Sequence, residues 1–282
     1  MSGKHVLAVI LNWNEAELTK TCCASLAAQT HRGLHVLVVD NGSTENSVDQ
    51  LRSMCRGAEV VSTGANLGFA GGVNAGVRAA GSLDKYDYIW LLNNDTTCTR
   101  DALDRLLAKA DANPRLAAIG CAMKEGTGEG KTERVVQPGK SLRSPFFIPR
   151  EVKNVSAIDY VCGACMLIRK EALEDVGLLD ESFFFFFEDA DWCFRAKQKR
   201  WNFGSVDTPL VRHLGNGTVR KSSYNRAAYY RCAHVTFLRK HAHHPLLASS
   251  LVTGFRLLAD LLQFNLSSAR GTVAGFLKGW RK

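Results

Sequence analysis

Tyr86-Asp-Tyr-Ile-Trp-Leu-Leu-Asn-Asn-Asp-Thr-Thr97 is the stretch whose reading decides the fold. Its apolar run, Tyr88, Ile89, Trp90, Leu91 and Leu92, stops at Asn93, Asn94 and Asp95. An apolar run of this length between polar groups suits a central strand of a parallel sheet, covered on both faces. In open α/β sheets ligands bind beyond the carboxyl ends of the strands. A carboxylate placed there beside two amides suits a hard cation held together with a phosphate. Read alone, the same residues are equally well a polar turn, so the rest of the chain has to decide.

Upstream, Val6 to Leu11 is a β-branched run ending in Asn12-Trp13-Asn14-Glu15, with a helix predicted from Leu18 to Gln29. Leu34 to Val39 is a second, ending in Asp40-Asn41-Gly42-Ser43-Thr44. A short helix over Ser47 to Met54 then leads to a strand over Glu59 to Ser62. Strand and helix alternating at this spacing predict right-handed βαβ units and a parallel sheet. Three polar strand ends on one sheet edge make a site. Gly64 to Asn74 places four glycines ahead of a helix reaching Ala80. Backbone amides in such a segment can approach a phosphate. The spacing is not G-x-G-x-x-G, and taken alone a flexible loop is the better reading.

Downstream, a helix over Asp101 to Ala112 ends before Pro114, and 126–149 is polar and irregular. Long irregular stretches inside a domain tend to be functional or mobile, which makes this one a candidate acceptor-side flap. Ile158 to Ile168 reads as a strand and Lys170 to Val176 as a short helix. A second focus follows: Phe183 to Phe187 is an unbroken run of phenylalanine, and Glu188, Asp189 and Asp191 come directly after it. Asp189 can start a helix, with the other two acids near the positive end of its dipole. Beside an aromatic wall, desolvation also raises a carboxylate pKa toward the range of a general base. Asp191 and Arg195 are spaced to pair on one helix face. Trp201 to Val206 and Pro209 to His213 read as two further strands.

The chain of 282 residues is 46% hydrophobic and 22% charged, the balance of a globular protein. Its net charge of +9 is uneven. Residues 190–282 carry 16 Lys and Arg against Asp191, Asp207 and Asp260, while the first 189 carry 20 against 24 acids. A basic final third points to an anionic partner, a lipid surface or a phosphorylated substrate. Nothing resembles a nucleic-acid module, so no nucleic-acid partner is expected. Nine cysteines without a framework, and a start that reads as a strand rather than a secretory signal, predict free thiols in a reducing cytoplasm. Cys162-Gly-Ala-Cys165 has zinc-like spacing but an apolar setting and no partner pair, which favours buried thiols.

Taken in order, Val9-Ile-Leu-Asn-Trp-Asn14, Val38-Val-Asp-Asn-Gly-Ser43, Asn66 to Asn74, Leu91-Leu-Asn-Asn-Asp-Thr96, Gly163 to Arg169, Val176 to Asp180, Phe187-Glu-Asp-Ala-Asp191 and His213 form a specific set. Over about residues 5–240 the chain resembles the family 2 glycosyltransferases, in their bacterial rhamnosyltransferase-like branch. The resemblance implies an α/β GT-A fold, a Rossmann-like, mainly parallel sheet flanked by helices. It also implies an inverting transfer of a sugar from a nucleotide diphosphate to a hydroxyl of a glycan or polyprenyl-linked glycan. The donor implied by the branch is dTDP-L-rhamnose, with galactofuranose and other sugars, including those carried on UDP, left open. Asn12, Asn14 and Glu15 would line the nucleotide pocket, and Asp40 would accept from the pyrimidine N3–H. Asn66 and the Gly68 to Gly72 segment would lie against nucleotide and ribose, with Asn74 facing the donor and Asn93 and Asn94 beside it. Asp95 would be the last acid of the family's metal motif, although Asn93 stands where an acid is common. His213 would be the second protein ligand to Mn or Mg. Asp189 would be the catalytic base, and Glu188 or Asp191 would hold the acceptor or support the loop. A nucleotidyl-transfer enzyme would need a lysine-rich phosphate loop, which Asn12 to Glu15 does not offer. A non-catalytic module would be favoured only without Asp95, Asp189 or His213.

The tail predicts a helix from Asn225 to His244, a break at Pro245, and a second helix with Leu247, Leu251, Phe255, Leu258 and Leu262 at helical spacing. Arg256 and Asp260 interrupt it, against a membrane span. Phe276, Leu277 and Trp280 then mix with Arg270, Lys278, Arg281 and Lys282. Such an end lies in a membrane interface, or packs as a helical hairpin on the core or in a homodimer. The organisation expected is a catalytic domain over 1–221 and a basic helical region over 222–282, at the inner face of the cytoplasmic membrane.

Overall fold

The computed structural model describes residues 3–44, 47–126, 134–137, 139–152, 157–215 and 222–281. β1 (Val6–Asn12), β2 (Leu34–Asp40), β3 (Glu59–Ser62) and β4 (Tyr88–Asn93) alternate with α1 (Ala16–Ala27), α2 (Ser47–Met54) and α3 (Gly68–Ala79). β5 (Thr96–Cys98) and α4 (Ala102–Asp111) lead into β6 (Leu116–Glu125). β7 (Arg134–Val136), β8 (Gly139–Ser141), β9 (Arg150–Glu151) and β10 (Tyr160–Val161) follow. Next come β11 (Cys165–Arg169), α5 (Lys170–Val176), α6 (Glu188–Gln198) and β12 (Asn202–His213). The last elements are α7 (Ser223–His241), α8 (Pro245–Leu262) and α9 (Leu266–Arg281).

The main sheet runs β3-β2-β1-β4-β11-β6-β12-β5, with β7 on β6, and β10-β8-β9 form a small second sheet. It is parallel from β3 to β4. β11 is inserted antiparallel between β4 and β6, and the far half is mixed. Alternate side chains of each strand enter opposite cores, as the pleat requires. Leu7, Val9, Ile89 and Leu91 join Phe69, Val73, Trp192 and Phe237 on the side of α3, α6 and α7. Val6, Ala8, Ile10, Tyr88, Trp90 and Leu92 join Leu26, Leu51 and Leu103 on the side of α1, α2 and α4.

Several expectations change. β6 was not expected. Leu116-Ala-Ala-Ile-Gly-Cys-Ala-Met123 is rich in small residues of low strand propensity, and burial between β11 and β12 makes it a strand. The single strand read over Ile158 to Ile168 is two strands of different sheets, broken at 162–164. The two strands read over 201–213 are one, β12, with register shifts on both sides of Pro209. The expected flap contains β7 and β8, and its residues 127–133 and 138 lie outside the described residues. The glycine segment is not a loop from Gly68 onward but the first turns of α3. A Cβ on Gly72 would lie 2.4 Å from Leu11 Cδ1, and one on Gly76 2.6 Å from Val39 Cγ2. These glycines let the helix sit directly on β1 and β2.

The cysteines are free and mostly buried. Cys165 Sγ meets Cys121 Sγ at 3.7 Å and Trp90 Nε1 at 3.5 Å, the packing of inert core thiols. In the tail, Gly271, Gly275 and Gly279 bring α9 against α7, where a Cβ on the first two would come within 2.3 Å of the Tyr224 and Ala228 carbonyl oxygens. α8 buries Ala248, Ser249, Thr253 and Asp260 and turns its leucine face outward. By length and composition it is apolar enough to cross a membrane.

Candidate functional site

The parallel half of the sheet brings the ends of β1, β2 and β4 to one edge, with Asn12 opposite Asp40 and Leu11 opposite Asn93. Asp40 is the hub of this edge. Its Oδ1 accepts from Asn12 Nδ2 at 3.0 Å and from the hydroxyls of Ser43 and Ser47, each at 2.6 Å. Burial raises the Asp40 pKa, but the donors from Ser43, Ser47 and Asn12 outweigh it and hold the carboxyl below its ordinary value. Asn12 is fully buried, and its own oxygen accepts from Thr19 Oγ1 at 2.7 Å, so it ties the end of β1 to α1. Asn14 takes positive φ, donates its amide hydrogen to Ser43 Oγ at 3.0 Å and receives the Thr44 amide at 2.8 Å. Glu15 stands just ahead of α1.

Asn41, which carried no expected role, ties this edge to α3. Its Nδ2 donates to Asn66 Oδ1 at 3.2 Å and to the Gly68 carbonyl at 3.0 Å, and its Oδ1 accepts from the Leu67 amide at 3.1 Å. Gly68 has φ of +75°, and a Cβ there would lie 2.3 Å from the Phe184 carbonyl oxygen. The Phe69 amide donates to that oxygen at 2.7 Å, so the phenylalanine run is pinned over the start of α3. Asn74 does not face this edge. It is buried, and its Nδ2 donates to the Leu179 carbonyl at 2.8 Å and to Glu181 Oε1 at 2.9 Å. Its place two turns into α3 points it at the segment before α6, so it holds that segment rather than a donor.

At the end of β4, Asn94 Nδ2 donates to Thr19 Oγ1 at 3.2 Å, and Asn93 Nδ2 lies 3.4 Å from His213 Nε2. His213 is the register partner of Thr96 on one side and of Glu125 on the other. Its Nε2 therefore comes to 3.2 Å from Asp95 Oδ1, and its Nδ1 to 3.4 Å from Glu125 Oε1. Burial lowers the imidazole pKa, but Asp95 and then Glu125 overcome this and raise it to about 9. Burial likewise raises Asp95, and His213 brings it below its ordinary value. A carboxylate and an imidazole converging this closely are two of the donors a divalent ion of the Mn type accepts. Among the described residues no group of three or more His, Cys, Asp or Glu forms a metal cluster. Asp95 and His213 supply two such donors, and further ligands to a cation would have to come from elsewhere. Glu125 had no expected role because β6 was not recognised. Its signal was an apolar run ending in Lys124-Glu125, like the other strand ends.

The break between β10 and β11 faces the same corner. The Ala164 carbonyl accepts from the Asn93 amide at 3.2 Å, and the Gly163 amide donates to Asp189 Oδ2 at 2.8 Å. Asp189 Oδ1 accepts from the Ala190 amide at 2.7 Å. The carboxylate is half-buried at the first turn of α6, entered through Phe186 and Phe187 with φ of 72° and 66°. Non-glycine residues held in this region store strain, a common feature of functional sites. Burial raises the Asp189 pKa, and the Gly163 and Ala190 amides offset only part of it. Glu188 is buried, its Oε2 has no hydrogen-bond partner among the described residues, and burial together with the Asp189 charge raises its pKa well above normal. Asp191 is buried between Arg195 Nε and His241 Nε2, each at 2.8 Å, and so joins α6 to α7. Of the three acids, Asp189 alone is not fully buried.

Residues 8–177 match the family model described as Glycosyl transferase family 2. The chain is 25% identical to the N-acetylglucosaminyl-diphospho-decaprenol L-rhamnosyltransferase of Mycobacterium tuberculosis, over 78% of this chain and 79% of that protein. It is 25% identical to the dTDP-rhamnosyl transferase RfbF of Shigella flexneri, over 92% and 88%. The fold is similar to that of the mannosyltransferase PcManGT of Pyrobaculum calidifontis, solved with GDP-Man and Mn2+, with a TM-score of 0.61 and 16% identity over 100% of this chain and 89% of that one.

Proposed function

The chain belongs to glycosyl transferase family 2 and is a glycosyltransferase, and on that premise we propose an inverting, metal-dependent transfer of L-rhamnose from dTDP-L-rhamnose to a lipid-linked glycan. The observation that carries this reading is the convergence of Asp95, His213 and the Gly163-held Asp189 on one sheet edge. The similarity to two rhamnosyltransferases supports the sugar, and the diphospho-decaprenol in one of their names supports the acceptor class.

Asp40, with Asn14, Glu15 and Asn66 about it, receives the nucleotide, with the carboxylate accepting from a base N–H. Asp95 and His213 would hold Mn or Mg, and the cation would supply electrostatic stabilisation for a leaving diphosphate. Asp189 accepts the proton of the acceptor hydroxyl. The oxygen of that hydroxyl forms the new bond to the anomeric carbon as the bond to the nucleoside diphosphate breaks on the opposite face, which inverts the centre. Burial and the neighbouring Asp189 charge disfavour the ionised form of Glu188, which leaves Asp189 as the base, and Asp191 supports α6. The basic helices α7 to α9 lie on the inner face of the cytoplasmic membrane, with the exposed leucine face of α8 in the lipid interface.

Thermal shift with dTDP, UDP, GDP and their sugars, each with Mn or EDTA, tests the donor side. Metal-dependent stabilisation by dTDP-rhamnose is expected. A response to UDP alone would move the donor away from rhamnose, and none to any nucleotide would sink the donor assignment.

A further inference from the structure

A cavity of about 510 Å³ opens between α7, α8 and α9, away from the sheet edge, and Arg226, Arg231 and Arg256 line it. Arg231 is 4% exposed. Its Nε has no partner among the described residues, and its Nη1 reaches only the neutral ring nitrogen of His234 at 3.3 Å. Burying a guanidinium without an anion is costly, and nothing in the packing of α7 demands a charge there. Asp260 is the acid that faces the cluster, and it is already paired with Arg256 at 2.8 Å. Three guanidinium groups against one carboxylate leave an excess of two positive charges. Ser223, Ser268 and Thr272 add hydroxyls to the same wall. This is the donor set that recognises phosphate oxygens.

Two neighbours of the cavity say what carries the phosphate. One wall is Tyr230, whose ring packs edge-on against Phe186 and Phe187 at 5.6 and 5.4 Å, directly before Glu188 and Asp189. Another wall is Arg256 of α8, next in sequence to Phe255, and on that helix Leu247, Phe255 and Leu262 are 61%, 70% and 71% exposed. An anion site is thus set between the base and an unpartnered apolar face. We propose that this cavity binds the phosphate or diphosphate of the lipid-linked acceptor, whose chain leaves along α8 while its sugar reaches over Tyr230 to Asp189. The assignment rests on the reading of the acceptor as lipid-linked.

The full chain is titrated by calorimetry in EDTA, which disables the metal-dependent donor site, with farnesyl diphosphate and separately with inorganic pyrophosphate. Arg226→Ala, at an exposed position, and Arg231→Gln are titrated alongside, with their melting temperatures as a check of folding. The prenyl diphosphate is expected to bind more tightly than pyrophosphate, and each variant to weaken it about tenfold or more. Unchanged binding in both folded variants overturns the site. Equal affinity for pyrophosphate makes it a free-anion site and overturns the lipid assignment. Loss of binding to phosphatidylglycerol vesicles with farnesyl diphosphate binding retained makes the ligand a phospholipid headgroup, and also overturns it. Hydrolysis of the donor without lipid reports the transferase reading separately. A wild-type chain that binds prenyl diphosphate but hydrolyses no donor overturns that reading and leaves the cavity standing. The reverse result overturns the cavity.

Discussion

Asp95 and His213 stand 118 positions apart in the chain, yet their side chains meet at 3.2 Å. The cause is register: Thr96 on β5 is the antiparallel partner of His213 on β12, so the residue before one and the end of the other share a corner. β5 is only three residues long, and it pairs with the last residues of the twelve-residue β12.

Asp95→Ala should abolish the stabilisation that Mn and a nucleoside diphosphate together give the wild type. Saturation at about a hundred times Kd stabilises by ~2.7 kcal/mol, which is a readily measured rise in Tm. EDTA should have the same effect on the wild type. A variant that keeps the metal-dependent rise would remove Asp95 from the site.

Asp189→Asn should lower kcat by about 10²- to 10⁴-fold, the usual contribution of a general base, with donor binding intact. Glu188→Gln should change kcat little, because burial and the Asp189 charge already disfavour the ionised form of Glu188 and the amide keeps its shape. Equal losses in both variants would contradict the division of roles between the two acids.

The pH dependence follows from the raised Asp189 pKa. A base works when deprotonated, so kcat/KM should fall as pH drops through that value, at a higher pH than an ordinary aspartate would give. For stability the sign is opposite. A carboxyl whose folded pKa exceeds its unfolded pKa penalises the folded state above the folded pKa and not below the unfolded one. Asp189→Asn should therefore hold or raise Tm at neutral pH while losing activity, in the manner of a strained functional residue.

Asp40→Ala should cost about 1–3 kcal/mol in a urea titration, because Ser43, Ser47 and Asn12 lose a shared acceptor. Its folded pKa is depressed, so this stability is present above the unfolded pKa and is lost as pH falls through the folded value. The gap between wild type and variant should close in acid.

Gly68→Ala meets both a positive φ and a backbone carbonyl at 2.3 Å, and about 2 kcal/mol or more of lost stability is expected. Gly57→Ala has positive φ but open space around it, so about 1 kcal/mol is expected there. Equal costs would mean that the contact with Phe184 does not constrain α3.

Phe255→Glu should weaken sedimentation with phosphatidylglycerol vesicles about tenfold, as loss of one buried aromatic side chain implies. If the variant instead separates a dimer into monomers with vesicle binding unchanged, the face of α8 is a contact between two copies.

The parallel half of the fold was legible because each strand there carries a continuous apolar, β-branched run and each ends in turn residues. β1 to β4 and the ends at Asn12, Asp40 and Asp95 fall where that pattern puts them. β6 escaped because its residues are small, and only burial between two neighbours makes them a strand. Without β6 there was no register to bring in Glu125. Gly163 lay inside an apolar run, and nothing local says that the chain breaks there to offer an amide to Asp189.

Residue type and local spacing by themselves determined which groups could do chemistry, since a carboxylate at a strand end or an acid after five phenylalanines is a local property. Which of those groups meet is not local. Asp191 pairs with His241, Asn74 turns to Leu179, and Asp95 finds His213 because strand register and helix docking join segments far apart in the chain. The tail shows the same division. Its basic and apolar composition is legible in order, but only the packing of α9 on α7 through glycines decides that α8 shows its leucines outward and leaves Arg231 buried beside a cavity.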